Sequence, residues 1–133
     1  MANKSKKILS EISAGELLDK ISILEIKLEK IKDKNDLEDI KKEYNILKEV
    51  QSNNIELTEP VKKLFVLIKK INLTLWNVED KLRVCEKNKD FSQTFINLAR
   101  DVYFNNDQRA KIKSQINTIL GSNIKEIKQY SDY

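Results

Sequence analysis

The sequence predicts an all-α fold, an antiparallel helical bundle with long, coiled-coil-like helices. With only two glycines and one proline in 133 residues, the chain has few of the residues that tight turns and β-hairpins need. Charged residues make up 35% and aromatic residues 7%, a mixture typical of helical chains. Apolar residues recur at alternating spacings of three and four. We expect one helical domain over residues 13–133, preceded by a polar arm over residues 1–12.

The first two helices are predicted to form a helical hairpin. Ser13 and Glu16 have the spacing of a capping box at the start of the first helix. We expect Asn35 and Glu38 to cap the second helix, which should end near residues 52–54. The short connection makes the two helices antiparallel neighbours. The apolar seam of the first helix consists of Leu17, Ile21, Leu24, Leu28 and Ile31.

The third helix is predicted to be the spine of the fold. Thr58 and Pro60 indicate its start, and it should run to about Asn88. At ~1.5 Å per residue, some 28 residues give a rod of about 42 Å. Cys85 falls on its apolar face, where a small buried hydrophobic residue is expected. The seam comprises Val61, Leu64, Ile68, Ile71, Leu75, Val78, Leu82 and Cys85.

The C-terminal third is predicted to contain short helices. Asp90 should cap the first of them, and residues 105–107 should break the chain and start the next. Gly121 is placed to end that helix in a left-handed conformation. A last short helix is expected over residues 122–130.

The residue types exclude several classes of chemistry. The chain has no histidine, which removes His-based triads, finger-type zinc sites and the Glu-x-x-His sites of di-iron bundles. Gly15 and Gly121 stand alone, so there is no phosphate-binding loop. We expect no metal and no cofactor. Any catalysis would rest on carboxylates, lysines, arginines and tyrosines, and a non-enzymatic protein is the favoured prediction.

Two further observations bear on the compartment. Cys85 is the single cysteine, so no internal disulfide can form. No apolar run has the length of a signal-peptide core or the ~20 residues of a membrane span. A cytoplasmic location is therefore expected.

Charged and polar side chains supply the candidate ligand contacts. The chain has 25 basic residues, of which only Arg83, Arg100 and Arg109 are arginines, and arginine is the residue suited to planar, multi-donor recognition of anions. Asn72, Trp76, Glu79 and Arg83 form a polar stripe beside the seam of the third helix. That stripe is equally typical of a salt bridge at the solvent edge. Arg109 and Lys113, next to a helix start at Asp107, would form an anion site, unless Asp107 itself fills it.

Six segments of the sequence resemble one bacterial protein family, the uncharacterised family catalogued as domain of unknown function 6165. The resemblance covers nearly the whole chain and implies a short, stand-alone helical protein with no established activity. It also favours most of the polar residues above as one shared surface. The segments that carry it are residues 15–27, 72–83, 98–100, 102–103, 106–117 and 121–122. The resulting candidate ligand-binding residues are Glu16, Asp19, Lys20, Trp76, Glu79, Arg83, Arg100, Asp107, Arg109 and Lys113.

Three hypotheses for the function follow. The favoured one is a helical interaction or scaffold protein that self-associates through the seam of the third helix or binds a protein partner, because a seam of that length exceeds what the first two helices can cover. If the C-terminal helices fold back over the exposed part of the seam, the protein would instead be a monomer. The second is a binding module or small enzyme for an anionic metabolite, such as a phosphorylated or nucleotide-linked sugar, held by Arg83, Arg100 and Arg109. The third is weak binding to nucleic acid or an anionic membrane through lysines of the third helix.

Overall fold

The computed structural model of the chain describes residues 6–132 and contains four helices. They are α1 (Ala14–Lys30), α2 (Lys34–Asn54), α3 (Glu59–Lys87) and α4 (Gln93–Leu120). No strand occurs among the described residues, and the helices pack against one another. The all-α bundle is therefore confirmed. The first five residues of the predicted arm lie outside the described residues, as does Tyr133.

The helix starts agree with the sequence in part. The Ser13 side chain accepts a hydrogen bond from the Glu16 N–H at 3.1 Å, and Thr58 precedes α3 with Pro60 in its first turn. The predicted Asn35 cap is wrong. Asp33, two residues earlier, has an extended backbone and accepts a hydrogen bond from the Asp36 N–H at 3.0 Å, so Asn35 already lies inside α2.

The predicted pair of helices between residues 90 and 121 is one continuous helix, α4. The side-chain amide of Asn105 donates a hydrogen bond to the Asp101 carbonyl one turn earlier at 2.8 Å. The polar side chain therefore has a hydrogen-bond partner within the helix. Apolar packing against α3 and α1 on both sides of the segment outweighs its weak helix propensity. The N-cap residue of α4 is Ser92, so the predicted cap at Asp90 is wrong.

The end of α4 confirms one prediction and corrects another. Gly121 has φ of 61°, the left-handed conformation that a glycine adopts without steric cost. The predicted helix over residues 122–130 is wrong, because residues 122–132 form an irregular tail. Ile127 of this tail is exposed, so no buried apolar face stabilises a further helical turn.

α3 and α4 form a long antiparallel hairpin, with α1 packed against both helices and α2 against α1. The core cluster draws on α3 only between Val61 and Ile71, and on α4 only between Ile112 and Leu120. We call residues 59–76 and 104–120 the inner half of the hairpin, and residues 77–103 the outer half. The fully buried members of the cluster are Leu17, Leu18, Ile21, Val61, Ile68, Ile112 and Ile116.

The seam of α3 is covered within one chain. Val61, Ile68, Val78 and Cys85 are buried, and the other four seam residues are half-buried, because α4 runs antiparallel along α3. The C-terminal segment thus packs along this seam, which is the alternative that needs no second copy, although it does so as one long helix and not as two short ones. Cys85 is a buried free cysteine, as predicted.

None of the helices between residues 6 and 132 is both long enough and apolar enough to cross a membrane.

Candidate functional site

A buried carboxylate joins three helices at the centre of the molecule. Asp19 of α1 is 1% exposed and accepts two hydrogen bonds from Arg109 of α4, Nε to Oδ1 at 2.9 Å and Nη2 to Oδ2 at 2.5 Å. The Asn72 side chain of α3 donates to Asp19 Oδ1 and to Ser22 Oγ, both at 2.8 Å. A carboxylate is stable in the core only when it is paired and hydrogen-bonded in this way.

The Asp19 contact also fixes Arg109. The hydrogen bond to Asp19 is the main cause that raises the pKa of Arg109, against the opposing effect of burial. Arg109 Nη1 lies 3.4 Å from Asn106 Oδ1. A guanidinium carries more donors than these contacts use, so Arg109 is a positioned cation that retains hydrogen-bonding capacity toward a ligand.

A second cation, Lys113, lies one turn further along α4. Its Nζ is 2.6 Å from Glu16 Oε2, 3.3 Å from Glu126 Oε2 and 3.8 Å from Asp19 Oδ2. Burial lowers the pKa of Lys113. The hydrogen bond to Glu16 and the charges of these carboxylates raise the pKa by more than burial lowers it, so the net shift is upward. Because Glu126 belongs to the C-terminal tail, the same lysine ties that tail to α4.

The start of α1 is closed by residues from the end of α4. Asn117 Oδ1 accepts from the Gly15 N–H at 2.6 Å, and Ser122 Oγ accepts from the Ala14 N–H at 2.7 Å. A Cβ atom on Gly15 would lie 2.5 Å from the Lys113 carbonyl oxygen, so the close approach of the two helices requires glycine. The first N–H groups of α1 are thus already bonded within the chain.

An open groove of about 540 Å³ lies beside the Asp19–Arg109 pair, where α1 leaves the hairpin. Its volume falls within the range of small-ligand sites. Apolar side chains from α1 and α3 lie next to charged ones from α3 and α4. Its lining consists of Ile23, Ile26, Asn72, Leu75, Trp76, Glu79, Asp80, Arg83 and Arg109. We refer to it as the Trp76 groove.

The charges of the Trp76 groove are largely compensated. Arg83 Nη1 donates to the Glu79 carboxylate and, at 3.2 Å, to the Glu79 carbonyl. Arg109 is matched by Asp19, which leaves Asp80 as an additional carboxylate at the lining. The four charged side chains of the lining, Glu79, Asp80, Arg83 and Arg109, therefore sum to zero, and the one further negative charge comes from Asp19 behind the lining. Its side chains can bind and orient a ligand, and they include no paired nucleophile and base.

The structure brings together four of the predicted site residues at the Trp76 groove: Trp76, Glu79, Arg83 and Arg109. Asp19 lies directly behind Arg109. Glu16 and Lys113 form an ion pair at the start of α1, separate from the groove lining.

The remaining predicted residues lie elsewhere. Lys20 is exposed and pairs with Glu43 of α2 at 3.8 Å. Arg100, on the outer half, packs over the Phe104 ring with 5.5 Å to its centroid. Asp107 lines a different groove, together with Lys128 and Tyr130. The three arginines therefore do not converge.

The predicted anion site at a helix start beside Asp107 is also wrong. Residues 105–107 lie inside the continuous helix α4, so no helix N-terminus exists beside Arg109 and Lys113. The positive character of that region comes from the two side chains alone, and Asp19 and Glu16 already compensate it.

A polar cluster between α1, α2 and α3 escaped the sequence analysis. Lys69 Nζ lies 3.0 Å from Glu25 Oε1 and 3.4 Å from Glu29 Oε1, and the Tyr44 hydroxyl donates to Glu25 at 3.2 Å. The hydrogen bond to Glu25 raises the pKa of Lys69. Burial and Glu25 raise the pKa of Tyr44. The one sequence feature that could have indicated this cluster is the spacing of Glu25 and Glu29, which lie four residues apart and so share a face of α1.

The sequence analysis also missed three polar residues that form buried or partly buried contacts: Ser22, Asn117 and Ser122. They are neutral residues within apolar or terminal segments, and no spacing rule connects them. Asn72 was placed correctly beside the core by its position on the polar stripe of α3.

Comparisons with known proteins identify a family without adding a function. No curated protein and no solved structure matches the chain significantly. A family model described as a family of unknown function (DUF6165) matches residues 8–132. Because that match spans almost the entire sequence, this chain belongs to the DUF6165 family.

Proposed function

We propose that this protein is a non-enzymatic interaction protein that self-associates through the outer half of the α3–α4 hairpin. The observation that carries the proposal is the exposure of large apolar side chains there: Val84 is 56% exposed, Phe91 52% and Ile96 46%. The core cluster does not extend to this half. Apolar side chains grouped on one projecting element favour a contact with another protein surface.

The charges of the outer half are compatible with contact between identical copies. Residues 77–103 carry as many basic as acidic side chains, so two copies would meet without net repulsion. The basic residues are Lys81, Arg83, Lys87, Lys89 and Arg100, and the acidic ones are Glu79, Asp80, Glu86, Asp90 and Asp101. This surface replaces the buried α3 seam as the proposed contact, and a cytoplasmic location remains part of the proposal.

Sedimentation equilibrium over a wide range of protein concentration tests self-association. We expect a concentration-dependent dimer for the native chain and a monomer for the double variant Val84→Glu/Ile96→Glu. Ile46→Glu is the matched control, because Ile46 is a comparably exposed isoleucine on α2. A native chain that stays monomeric at all concentrations, or a dimer that survives the double variant, would contradict the proposal.

A second candidate function is binding of an anionic metabolite in the Trp76 groove, such as a phosphorylated or nucleotide-linked sugar. It is favoured by Arg83 and Arg109, which reach the groove from two different helices beside Trp76. Because Arg83 is paired with Glu79, an anion would have to displace that carboxylate. The clamp of three arginines that the sequence predicted is wrong, because Arg100 packs over Phe104 away from the groove, and the candidate retains only the pair Arg83 and Arg109.

Trp76 is the only tryptophan, so its fluorescence reports on the groove directly. We would titrate the protein with glucose 1-phosphate and with UDP-glucose. Saturable quenching that Arg83→Ala abolishes and Arg100→Ala leaves unchanged would support this candidate. Fluorescence that is unaffected by both compounds would dismiss it for these ligands.

Binding to nucleic acid or an anionic membrane has less support. Of the lysines on α3 that motivated it, Lys69 pairs with Glu25 and Glu29, and Lys62 pairs with Glu59 at 3.4 Å. These ion pairs reduce the positive potential that phosphate groups require.

A further inference from the structure

Two adjacent apolar residues stand exposed on the N-terminal arm. Ile8 is 90% exposed and Leu9 91% exposed, in a segment without helix or strand that leads to the cap of α1. Lys6 and Lys7 precede them directly. The described part of the arm therefore presents two cations followed by two aliphatic side chains, and no residue between 6 and 132 buries the aliphatic pair.

The arm leaves the molecule far from the groove of its own chain. Glu11 accepts a hydrogen bond from Asn123 of the tail at 2.7 Å, which holds the end of the arm beside the start of α1. Ile23 and Ile26, which line the Trp76 groove, lie further along α1. At ~1.5 Å per residue, Ser13 and Ile23 are separated by about 15 Å along the helix axis. With Glu11 held at Asn123, only two residues, about 7 Å of extended chain, separate Leu9 from the anchor.

We propose that the arm of one copy docks in the Trp76 groove of a second copy. Ile8 and Leu9 would lie on the apolar side chains of the groove, and Lys6 and Lys7 would face its carboxylates. This inference rests on the proposed self-association and names a contact that completes it. Exchange of arms in both directions gives a closed two-fold dimer in which each copy supplies an arm and a groove.

The chemistry of the groove favours this occupant. Ile23, Leu75 and Trp76 offer an apolar surface of matching character, and Ile26, also at the lining, is buried. Both arginines of the groove already have carboxylate partners, and Asp80 supplies a further negative charge at the lining. A segment with positive charge and aliphatic side chains complements this surface better than a free anion does.

The size of the interface points the same way. A stable interface buries about 800 Å² on each partner, which is a large area for the end of a two-helix hairpin alone. Two exchanged arms would add contacts on both sides of the two-fold axis. They would also cover Ile8 and Leu9, two of the most exposed large apolar residues in the described chain.

The dimer dissociation constant, measured by sedimentation equilibrium, tests the apolar part of the contact. We expect Ile8→Ser/Leu9→Ser to weaken the dimer at least about tenfold, which corresponds to ~1.4 kcal/mol. Ile127→Ser is the matched control, because Ile127 is a similarly exposed isoleucine in the C-terminal tail, and it should leave the constant unchanged. A dimer that is insensitive to the arm variant overturns the arm contact and leaves self-association standing, whereas a native chain that is always monomeric overturns both.

A charge exchange tests the register of the arm. Lys6→Glu/Lys7→Glu and Asp80→Lys should each weaken the dimer, and their combination should recover part of the loss, as a double-mutant cycle requires for groups in contact. Strictly additive losses would overturn the assignment of the lysines to the carboxylate side of the groove.

A disulfide trap separates exchange between copies from docking within one chain. Leu9→Cys and Asp80→Cys are made in separate chains, both with Cys85→Ala, and the two proteins are mixed under mild oxidation. A disulfide-linked heterodimer is expected. If the mixture gives none, while a single chain carrying both cysteines closes on itself as a monomer, then the arm docks in its own groove and the proposal is wrong.

Discussion

The inner and outer halves of the α3–α4 hairpin differ in what their polar side chains contact. In the inner half, Asn72 and Arg109 reach across to Asp19 of α1, and Asn117 reaches the backbone of Gly15. In the outer half, the ion pairs are local: Arg83 with Glu79 and Lys89 with Glu86. Contacts between distant segments define a tertiary structure, whereas pairs one turn apart support only the helix that carries them.

Apolar residues show the same division. Val61, Ile68, Ile112 and Ile116 of the inner half belong to the core cluster. The outer half buries Val78 and Cys85 between its two helices but leaves other large apolar residues in solvent. Exposed apolar side chains occur on both halves, since Val66 is 65% and Ile119 49% exposed, but only the inner half also contributes to the core cluster. This difference is the physical basis of the proposed interaction function.

The largest expected effect comes from removing the carboxylate at the centre of the inner half. Asp19→Ala would leave Arg109 and Lys113 partly buried without a shared partner, which costs about 3 kcal/mol, the lower end for a broken buried pair because Arg109 retains some contact with water. The free energy of unfolding from urea titration measures the loss.

Asp101→Asn is the outer-half counterpart, since Asp101 is an exposed carboxylate. It should change the free energy of unfolding by less than about 0.5 kcal/mol. If the two substitutions had similar effects, the distinction between the halves would not hold.

A smaller effect is expected at the contact between α1 and α4. Gly15→Ala would place a Cβ atom 2.5 Å from the Lys113 carbonyl oxygen, and the resulting helix displacement should cost about 1–3 kcal/mol. Thermal and urea unfolding measure it. Asn97→Ala on the exposed face of the outer half serves as the control, and an unchanged stability for Gly15→Ala would show that the two helices are not in close contact.

The pH dependence of stability provides a third, more moderate test. The pKa values of Lys69 and Lys113 are raised in the folded protein, so the stability they contribute is complete below the ordinary lysine pKa of 10.5. It is lost as the pH rises through the folded values, because the unfolded chain releases these protons first.

Urea unfolding between about pH 9 and pH 11.5, a range that brackets the ordinary lysine pKa, follows this loss. Lys113→Met should be less stable at pH 9 and should show a shallower decline above it. A decline as steep as that of the native chain would mean that the Lys113 contacts do not contribute.

The smallest effect is expected in the tail. Burial raises the pKa of Glu126. Lys113 and Lys128 together lower that pKa by more than burial raises it, so its net shift is downward. Its contribution is present above the usual glutamate pKa of 4.5 and lost as the pH falls through the folded value. Glu126→Gln should therefore speed amide exchange in residues 122–132 while changing global stability by less than about 0.5 kcal/mol. Unchanged exchange in the tail would contradict the contact with Lys113.

The fold was predictable where periodicity and caps agree. Most seam residues of α1 and α3, the Ser13 cap and the left-handed Gly121 follow from local rules that depend on neighbouring residues. Ile31 is the exception, because α1 ends at Lys30 and Ile31 has an extended backbone. The break at residues 105–107 was predicted from the same rules and is wrong, because packing of α4 along α3 outweighs the propensity of Asn105 and its neighbours. That single error also placed a helix N-terminus beside Arg109.

The candidate site was predictable only in part. The polar stripe of α3 gave Trp76, Glu79 and Arg83, because residues one turn apart share a helix face. The pairing of Asp19 with Arg109 depends on how α1 crosses α4, and no local spacing encodes a contact between residues so far apart in sequence. The separation of Arg100 from the other arginines has the same cause.

Hydrogen–deuterium exchange at two protein concentrations tests the division of the hairpin most directly. In dilute solution, amides of the outer half, residues 77–103, should exchange faster than those of the inner half. At high concentration the outer half should gain protection, while the inner half, already limited by global unfolding, should not change. Equal protection of the two halves in dilute solution, or exchange that is independent of concentration throughout, would contradict the account.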